Sequence, residues 1–127
     1  ASLSSPKPSM SSTERWRFRI EHIVDSIDAI RDYVAGLDER ALAADRKTLD
    51  AVLRNFQVIG EAVRKVPKDV QVRYEDIPWR EMERMRHKIV HDYDRVSVST
   101  VWQTIHEDLV PLLPLLTKLL KNEPEDR

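Results

Sequence analysis

The chain has 127 residues, no cysteine, and 21 Lys plus Arg against 22 Asp plus Glu. This length suits a single compact domain, and the absence of cysteine excludes disulfide frameworks and thiolate chemistry. The charge balance excludes the indiscriminate polyanion binding of a strongly basic protein. No apolar run approaches the ~20 residues of a membrane span, so we expect a cytoplasmic protein with no membrane partner.

Residues 1–9 are small, polar and interrupted by proline, and they precede Met10. They lack the apolar core of a signal peptide, so we interpret them as an expression scar with Met10 as the native start. One helical domain is then predicted over residues 10–121. The charged residues 122–127 are predicted to fray.

Apolar residues at spacings of three and four, with only two glycines in the chain, predict an all-α fold. The first helix is predicted to begin at Ser11 and to stop at Gly36. A connector that can hold a short helical turn covers residues 38–44. Asp45 is then predicted to cap a second long helix that ends before Pro67.

The second half of the chain predicts two more helices. Pro78 is placed to open the third helix, because proline is well tolerated at the first helical position. Ser97 or Ser99 can cap the last helix, which is predicted to kink at Pro111 and Pro114. Four amphipathic helices with short connections predict an antiparallel four-helix bundle with a short extra helical turn.

The third helix carries the residues that point to chemistry: Arg86, four residues, His91, one residue, Tyr93. Acid–base chemistry at an anionic group needs a side chain that can take up and give off a proton, with positive charge beside the anion. Imidazole titrates near neutral pH, guanidinium stays charged with paired donors, and a phenol adds a hydroxyl. Arg86 and His91 are therefore the candidate catalytic residues.

This spacing resembles the catalytic motif of HepT, the HEPN-domain ribonuclease toxins, and the segments 55–62 and 77–80 resemble the same family. The resemblance implies a HEPN-like fold and a homodimer with a composite active site between protomers. It also implies an endoribonuclease that needs no cofactor and cleaves tRNA or mRNA rather than DNA. The end product that the resemblance implies is a 2′,3′-cyclic phosphate. His87 departs from the family, where the position is commonly asparagine or another small polar residue, so we give it a secondary role in substrate positioning.

The resemblance further implies a type VII-like toxin–antitoxin system. The partner would be a minimal nucleotidyltransferase antitoxin (MntA), which neutralises such toxins by AMPylation of the motif tyrosine. In this chain the modified residue would be Tyr93, which could also help to position substrate.

The geometry of an α-helix limits how the side chains of the motif can meet. Positions five apart on a helix are ~140° apart around its axis, so Arg86 and His91 can converge only across a groove such as a dimer interface. Gly60 in the middle of a helix costs ~1 kcal/mol relative to alanine, which indicates close helix packing. Glu61 is then expected to orient Arg86 or neighbouring backbone.

Other interpretations remain open from the residues alone. Arg86 could pair with Glu83 or Asp92 on its own helix, and His91 could be a structural histidine. Glu83, His87 and His91 share one helical face and could hold zinc, although three ligands from one helix make a poor tetrahedron, and we expect no metal. The protein could also be a non-catalytic helical binding module that presents substrate to a nucleotidyltransferase, or a purely structural dimerising bundle.

Overall fold

The computed structural model describes residues 12–92 and 97–123, and the side chains of residues 15–88 and 97–123. These residues form helices and connecting turns without a strand, so the predicted all-α fold is confirmed. The elements are α1 (Ser12–Val34), α2 (Glu39–Ala44), α3 (Arg46–Arg64), α4 (Lys68–Arg73), α5 (Trp79–Asp92), α6 (Val98–Gln103), a π-helical segment (Thr104–Leu109) and α7 (Leu112–Asn122).

The ends of the first helices follow the capping signals of the sequence. Gly36 has φ +78° just beyond α1, a left-handed conformation that glycine adopts at little cost. Asp38 accepts a hydrogen bond of 2.8 Å from the Ala41 backbone and starts α2. Asp45 accepts one of 3.1 Å from the Thr48 backbone and one of 2.7 Å from the Thr48 hydroxyl, and starts α3. The predicted helical turn and the predicted cap at Asp45 are both confirmed.

Pro78 stands immediately before α5, as the sequence predicts. Its carbonyl accepts from the Met82 backbone at 3.1 Å, and the Trp79 indole donates to the Tyr74 carbonyl at 3.0 Å. Trp79 and Met82 are buried. The first turn of α5 is therefore fixed by both a backbone and a side-chain hydrogen bond.

The last helix is interrupted differently from the predicted kink. Ser97 caps α6, and the chain then widens into the π-helical segment, where the Val110 N–H donates to the Ile105 carbonyl at 3.0 Å. Pro111 separates this segment from α7, and Pro114 lies in the first turn of α7, where a missing N–H costs no intrahelical bond. The two prolines thus divide the helix at one point only.

The core lies where α1 packs on α3 and α3 packs on α5, with α7 closing over α1. Burial of its aliphatic and aromatic side chains supplies the main driving force of folding. Fully buried members with the largest side chains include Ile20, Ile23, Ile27, Ile30, Leu42, Phe56, Ile59, Ile105, Leu109, Leu116 and Leu119.

The end of α7 is held by polar contacts. The Arg17 guanidinium donates to the carbonyls of Leu120, at 2.6 Å, and of Glu123. The Glu123 carboxylate pairs with Arg73 at 3.0 Å and accepts from the Tyr74 hydroxyl at 3.2 Å. α7 ends at Asn122, so the helix continues past residue 121, where the sequence places the end of the domain. Residues 124–127, the rest of the predicted frayed tail, lie outside the described residues, as do residues 1–11 with the proposed scar and the Ser11 cap.

Within the described part of the chain, each helix is too short or too polar to cross a membrane.

Candidate functional site

Arg86 lies on the side of α5 that packs against α3, directly opposite Gly60. A Cβ on residue 60 would overlap with the Cβ of Arg86, so the two helices approach here as closely as glycine permits. The close packing predicted from the mid-helix glycine is confirmed. The first carbons of the Arg86 side chain are thereby fixed against the backbone of α3.

Glu61 holds the other end of the Arg86 side chain. Its carboxylate oxygen lies 2.5 Å from the Arg86 Nε, and the two side chains are 46% and 26% exposed. Of the two partners considered on α5 itself, Glu83 instead pairs with Arg64 at 3.8 Å, and the side chain of Asp92 is not described. The expected contact between Glu61 and Arg86 is present. Arg86 and Glu61 both line a cleft.

This cleft, which we call the polar cleft, lies between α1, α3 and α5. Its volume is about 310 Å³, and it is lined by Arg19, His22, Arg54, Gln57, Val58, Glu61, Ala62, Lys65 and Arg86. Four basic side chains thus surround one carboxylate. An anion would be attracted into such a depression, because its low-dielectric walls concentrate the field of the cations.

Four polar residues of this cleft were not singled out from the sequence: Arg19, His22, Arg54 and Lys65. Each belongs to a helix with many charged residues of both signs, which looks like an ordinary solvated surface. One signal was present in the sequence. The spacing of Arg54, Glu61 and Lys65 indicates one side of a helix, next to the buried residues of α3. The contribution of α1 becomes visible only once α1 packs on α3.

The remaining motif residues are placed less fully. His87 is exposed on α5 and does not line the polar cleft. His91 belongs to the last turn of α5, about 140° from Arg86 around the helix axis, and its side chain lies outside the described residues. Tyr93 also lies outside them. The structure therefore locates the side chains of Arg86 and His87, and the placement of the His91 side chain and of Tyr93 stays a prediction from the motif.

No group of three or more His, Asp or Glu side chains that could hold a metal ion occurs among the described residues. The alternative zinc site of Glu83, His87 and His91 includes a side chain outside them. Glu83, a member of that group, forms an ion pair with Arg64 of α3 at 3.8 Å.

Residues 23–119 of the chain match the family model described as Ribonuclease HepT-like. The chain belongs to the HepT-like family. It is 37% identical over 102 residues to a protein named "Probable ribonuclease HepT" from Thermococcus cleftensis, covering 80% of this chain and 93% of that relative. It is 33% identical over 103 residues to a predicted RNase from Methanocaldococcus jannaschii, covering 81% of this chain and 89% of the relative. No solved structure matches it significantly.

The HepT-like match includes the Arg86–His91–Tyr93 motif and the Gly60–Glu61 pair on α3. It begins at Ile23, so Arg19 and His22, which α1 contributes to the polar cleft, lie just before it.

A second depression lies on another side of α5, between this helix and the α6–α7 region. We call it the apolar groove. It has a volume of about 460 Å³, and its apolar lining includes Phe56, Met82, Met85, Val101, Leu109, Leu112 and Leu115. In the HepT-like chain, α5 therefore has Arg86 toward the polar cleft, and toward this groove it has Met82 and Met85 together with the charged residues Glu81, Arg84 and Lys88.

Proposed function

We propose that this protein is a metal-independent endoribonuclease and the toxin of a type VII-like toxin–antitoxin system, with tRNA or mRNA as substrate. The observation that carries the proposal is Arg86, whose guanidinium is fixed by Glu61 at a cationic cleft within a HepT-like ribonuclease chain. A prearranged guanidinium stabilises developing negative charge without reorganisation during the reaction.

In the proposed reaction the ribose 2′-oxygen attacks the adjacent phosphorus, and the bond from phosphorus to the 5′-oxygen breaks. A base removes the proton from the 2′-hydroxyl, and an acid delivers a proton to the departing 5′-oxygen. The products are a 2′,3′-cyclic phosphate and a 5′-hydroxyl. His91 serves in proton transfer, since imidazole exchanges protons near neutral pH, and Arg86 neutralises the phosphate oxygens. Tyr93 and His87 position the substrate.

We propose that the active site is composite and forms in a homodimer. Arg86 and His91 occupy positions about 140° apart on α5, so one copy of the helix directs them to different sides. A second copy related by a two-fold axis beside α5 can complete the constellation. The apolar groove next to α5 supports this arrangement, because a partner that covers it would remove apolar surface from water.

The proposed partner in the cell is a minimal nucleotidyltransferase antitoxin that adds AMP to Tyr93. Phosphates attached there would be attracted to Arg86 and would occupy the space of the substrate phosphate. ATP and a divalent ion would belong to the partner, while the toxin itself needs no cofactor. With Tyr93→Phe, the antitoxin is expected neither to add AMP nor to silence the protein.

The decisive experiment is cleavage of total tRNA and of mRNA by AMP-free protein without added metal, beside His91→Ala. Intact mass spectrometry establishes that the preparation carries no AMP. We expect products with 2′,3′-cyclic phosphate ends, and at least a hundredfold slower cleavage by the variant, as is typical for loss of a general acid or base. Absence of cleavage by AMP-free protein would contradict the proposal and favour the non-catalytic binding module.

A further inference from the structure

We propose that the polar cleft binds the backbone of single-stranded RNA on both sides of the cleaved phosphate, and that Phe18 at its edge stacks against an unpaired base. This inference rests on the proposed ribonuclease function and adds the substrate site to it. It concerns residues of α1 and α3 that lie outside the Arg86–His91–Tyr93 motif.

The first support is the distribution of charge. The chain as a whole has a formal net charge of −1, and most described arginines on other surfaces have a carboxylate close by, as Arg31 has Asp28 and Arg73 has Asp69. Among described side chains, no ion pair with a carboxylate is formed by the three outer cations of the cleft, Arg19, Arg54 and Lys65.

Glu61, the carboxylate of the cleft, is already engaged by Arg86. The other cations therefore line a concave surface together without a carboxylate of their own, so each adds to a positive potential that like charges oppose. A polyanion would relieve this repulsion, and phosphodiester groups are the anions that the proposed substrate supplies.

The second support is the order of the residues along α3. Arg54 and Lys65 are eleven positions apart, which corresponds to ~16 Å along a helix. Gly60 and Glu61, which hold Arg86, lie between them. A strand that places one phosphate at Arg86 can therefore place neighbouring phosphates at Arg54 on one side and at Lys65 on the other. Gln57 adds an amide that can bond to phosphate or ribose.

The third support is an exposed aromatic ring beside the cleft. Phe18 is 48% exposed, although it is one of the large apolar side chains of α1. Its ring centroid lies 5.7 Å from that of His22 and 5.6 Å from the Arg19 guanidinium carbon, and both of these neighbours line the cleft. Aromatic side chains beside a cationic track stack on bases of single strands, whereas bases within a duplex are already stacked.

The test measures binding separately from cleavage. A fluorescent single-stranded RNA with 2′-O-methyl riboses cannot undergo the cleavage reaction, because the attacking hydroxyl is blocked. Its dissociation constant is measured by anisotropy at several salt concentrations, with wild type and with Arg19→Gln, Arg54→Gln and Lys65→Gln, singly and combined. Arg40→Gln, on the exposed surface of α2, is the matched control.

Each cleft variant is expected to weaken binding and to flatten the plot of log K against log salt by about 0.7, the value per phosphate contact on a single strand. The triple variant is expected to flatten it by about 2, and Arg40→Gln to match wild type. Unchanged slopes in the triple variant would overturn the proposal, whatever the cleavage assay shows. Salt-dependent binding through the cleft without any cleavage would instead leave this site in place and contradict the proposed activity.

The stacking contact has its own variants. Phe18→Leu keeps an apolar side chain but removes the ring, and we expect at least about fivefold weaker binding of the single strand. Phe18→Trp is expected to bind at least as tightly as wild type. A duplex of the same sequence is expected to bind more weakly than the single strand and to be insensitive to Phe18→Leu. Equal effects of Phe18→Leu on single strand and duplex would overturn the stacking role.

Discussion

Gly60 and Glu61 are neighbours on α3 that together determine where one side chain of α5 lies. The glycine leaves room for the Arg86 Cβ, and the carboxylate holds the Arg86 Nε at 2.5 Å. The ion pair is partly exposed, so it contributes little to stability, ~0–1 kcal/mol. Its main effect is orientation, because the contact favours a guanidinium position beside α3 over positions that turn toward solvent.

The substitution Gly60→Ala tests this close approach. The added methyl group meets the Cβ of Arg86, an atom that no side-chain rotation can move away, so α3 and α5 must separate. Overpacking of this kind costs ~1–3 kcal/mol. It should outweigh the ~1 kcal/mol that alanine gains over glycine in a helix. We expect a lower free energy of unfolding in urea titrations and weaker RNA cleavage.

The control is to introduce Gly60→Ala into two variants of Arg86 as well as into wild type. Arg86→Ala keeps the Cβ and should leave the cost of Gly60→Ala nearly unchanged, whereas Arg86→Gly removes the clash and should relieve most of it. Gly36→Ala, where φ is +78° and no atom lies within 4 Å of the added carbon, should cost ~1 kcal/mol in every background. Equal cost of Gly60→Ala in all three backgrounds would contradict the close approach.

At the level of elements, α3 depends on the cap at its first turn. Hydrogen bonds from the Thr48 hydroxyl and then from the Thr48 backbone lower the pKa of Asp45 below its ordinary value. The unfolded state therefore binds more protons than the folded state between the two pKa values, and the stabilisation by Asp45 is fully present above the ordinary carboxyl pKa. It disappears as the pH falls through the lowered pKa.

Asp45→Ala is expected to lower the free energy of unfolding at pH 7. The difference from wild type should stay constant down to the ordinary carboxyl range and shrink at lower pH, which urea titrations across acidic pH would measure. Thr48→Val keeps the carboxylate but removes the donor with the largest effect on its pKa, so it should abolish part of the same pH dependence. A difference between wild type and Asp45→Ala that does not change with pH would contradict a role for the charged cap.

The helix ends could be predicted from the sequence because their signals are local. Gly36, Asp45 and Pro78 act on the backbone within a few residues of themselves, and each stands where the structure begins or ends a helix. The π-helical segment could not be predicted in this way. It depends on how Pro111 is accommodated while Ile105 and Leu109 stay buried in the core, which is a tertiary requirement.

At the scale of the whole molecule, the polar cleft likewise could not be predicted in full from the sequence, because it depends on tertiary packing. Arg86 was recognisable because its spacing to His91 and Tyr93 is a local pattern in the sequence. Arg19 belongs to α1, where nothing in its local sequence distinguishes it from a solvated arginine, and Arg54 has only its helical spacing to Glu61 and Lys65 on α3 as a signal. Only the packing of α1 on α3 and of α3 on α5 brings them to one depression. A chain of almost zero net charge can thereby present a locally cationic surface.

The two sides of α5 lead to a prediction about the assembly. If Arg86 of one protomer acts with His91 of the other, a heterodimer of Arg86→Ala and His91→Ala chains has one complete site and one that lacks both groups. Random mixing makes half of all dimers of this kind, so two inactive preparations should regain about a quarter of wild-type cleavage when they are mixed under conditions of subunit exchange.

Adding Leu115→Glu to both chains should prevent the recovery, because a charge in the half-buried wall of the apolar groove would oppose its burial by a second copy. Val72→Glu, at a side chain that is 72% exposed on α4, is the matched control and should leave the recovery intact. Sedimentation of each variant reports the dimer directly, and circular dichroism shows that the chains are folded. Mixed dimers that form but stay inactive would mean that Arg86 and His91 act within one protomer, and the active site would then have to be built from a single α5.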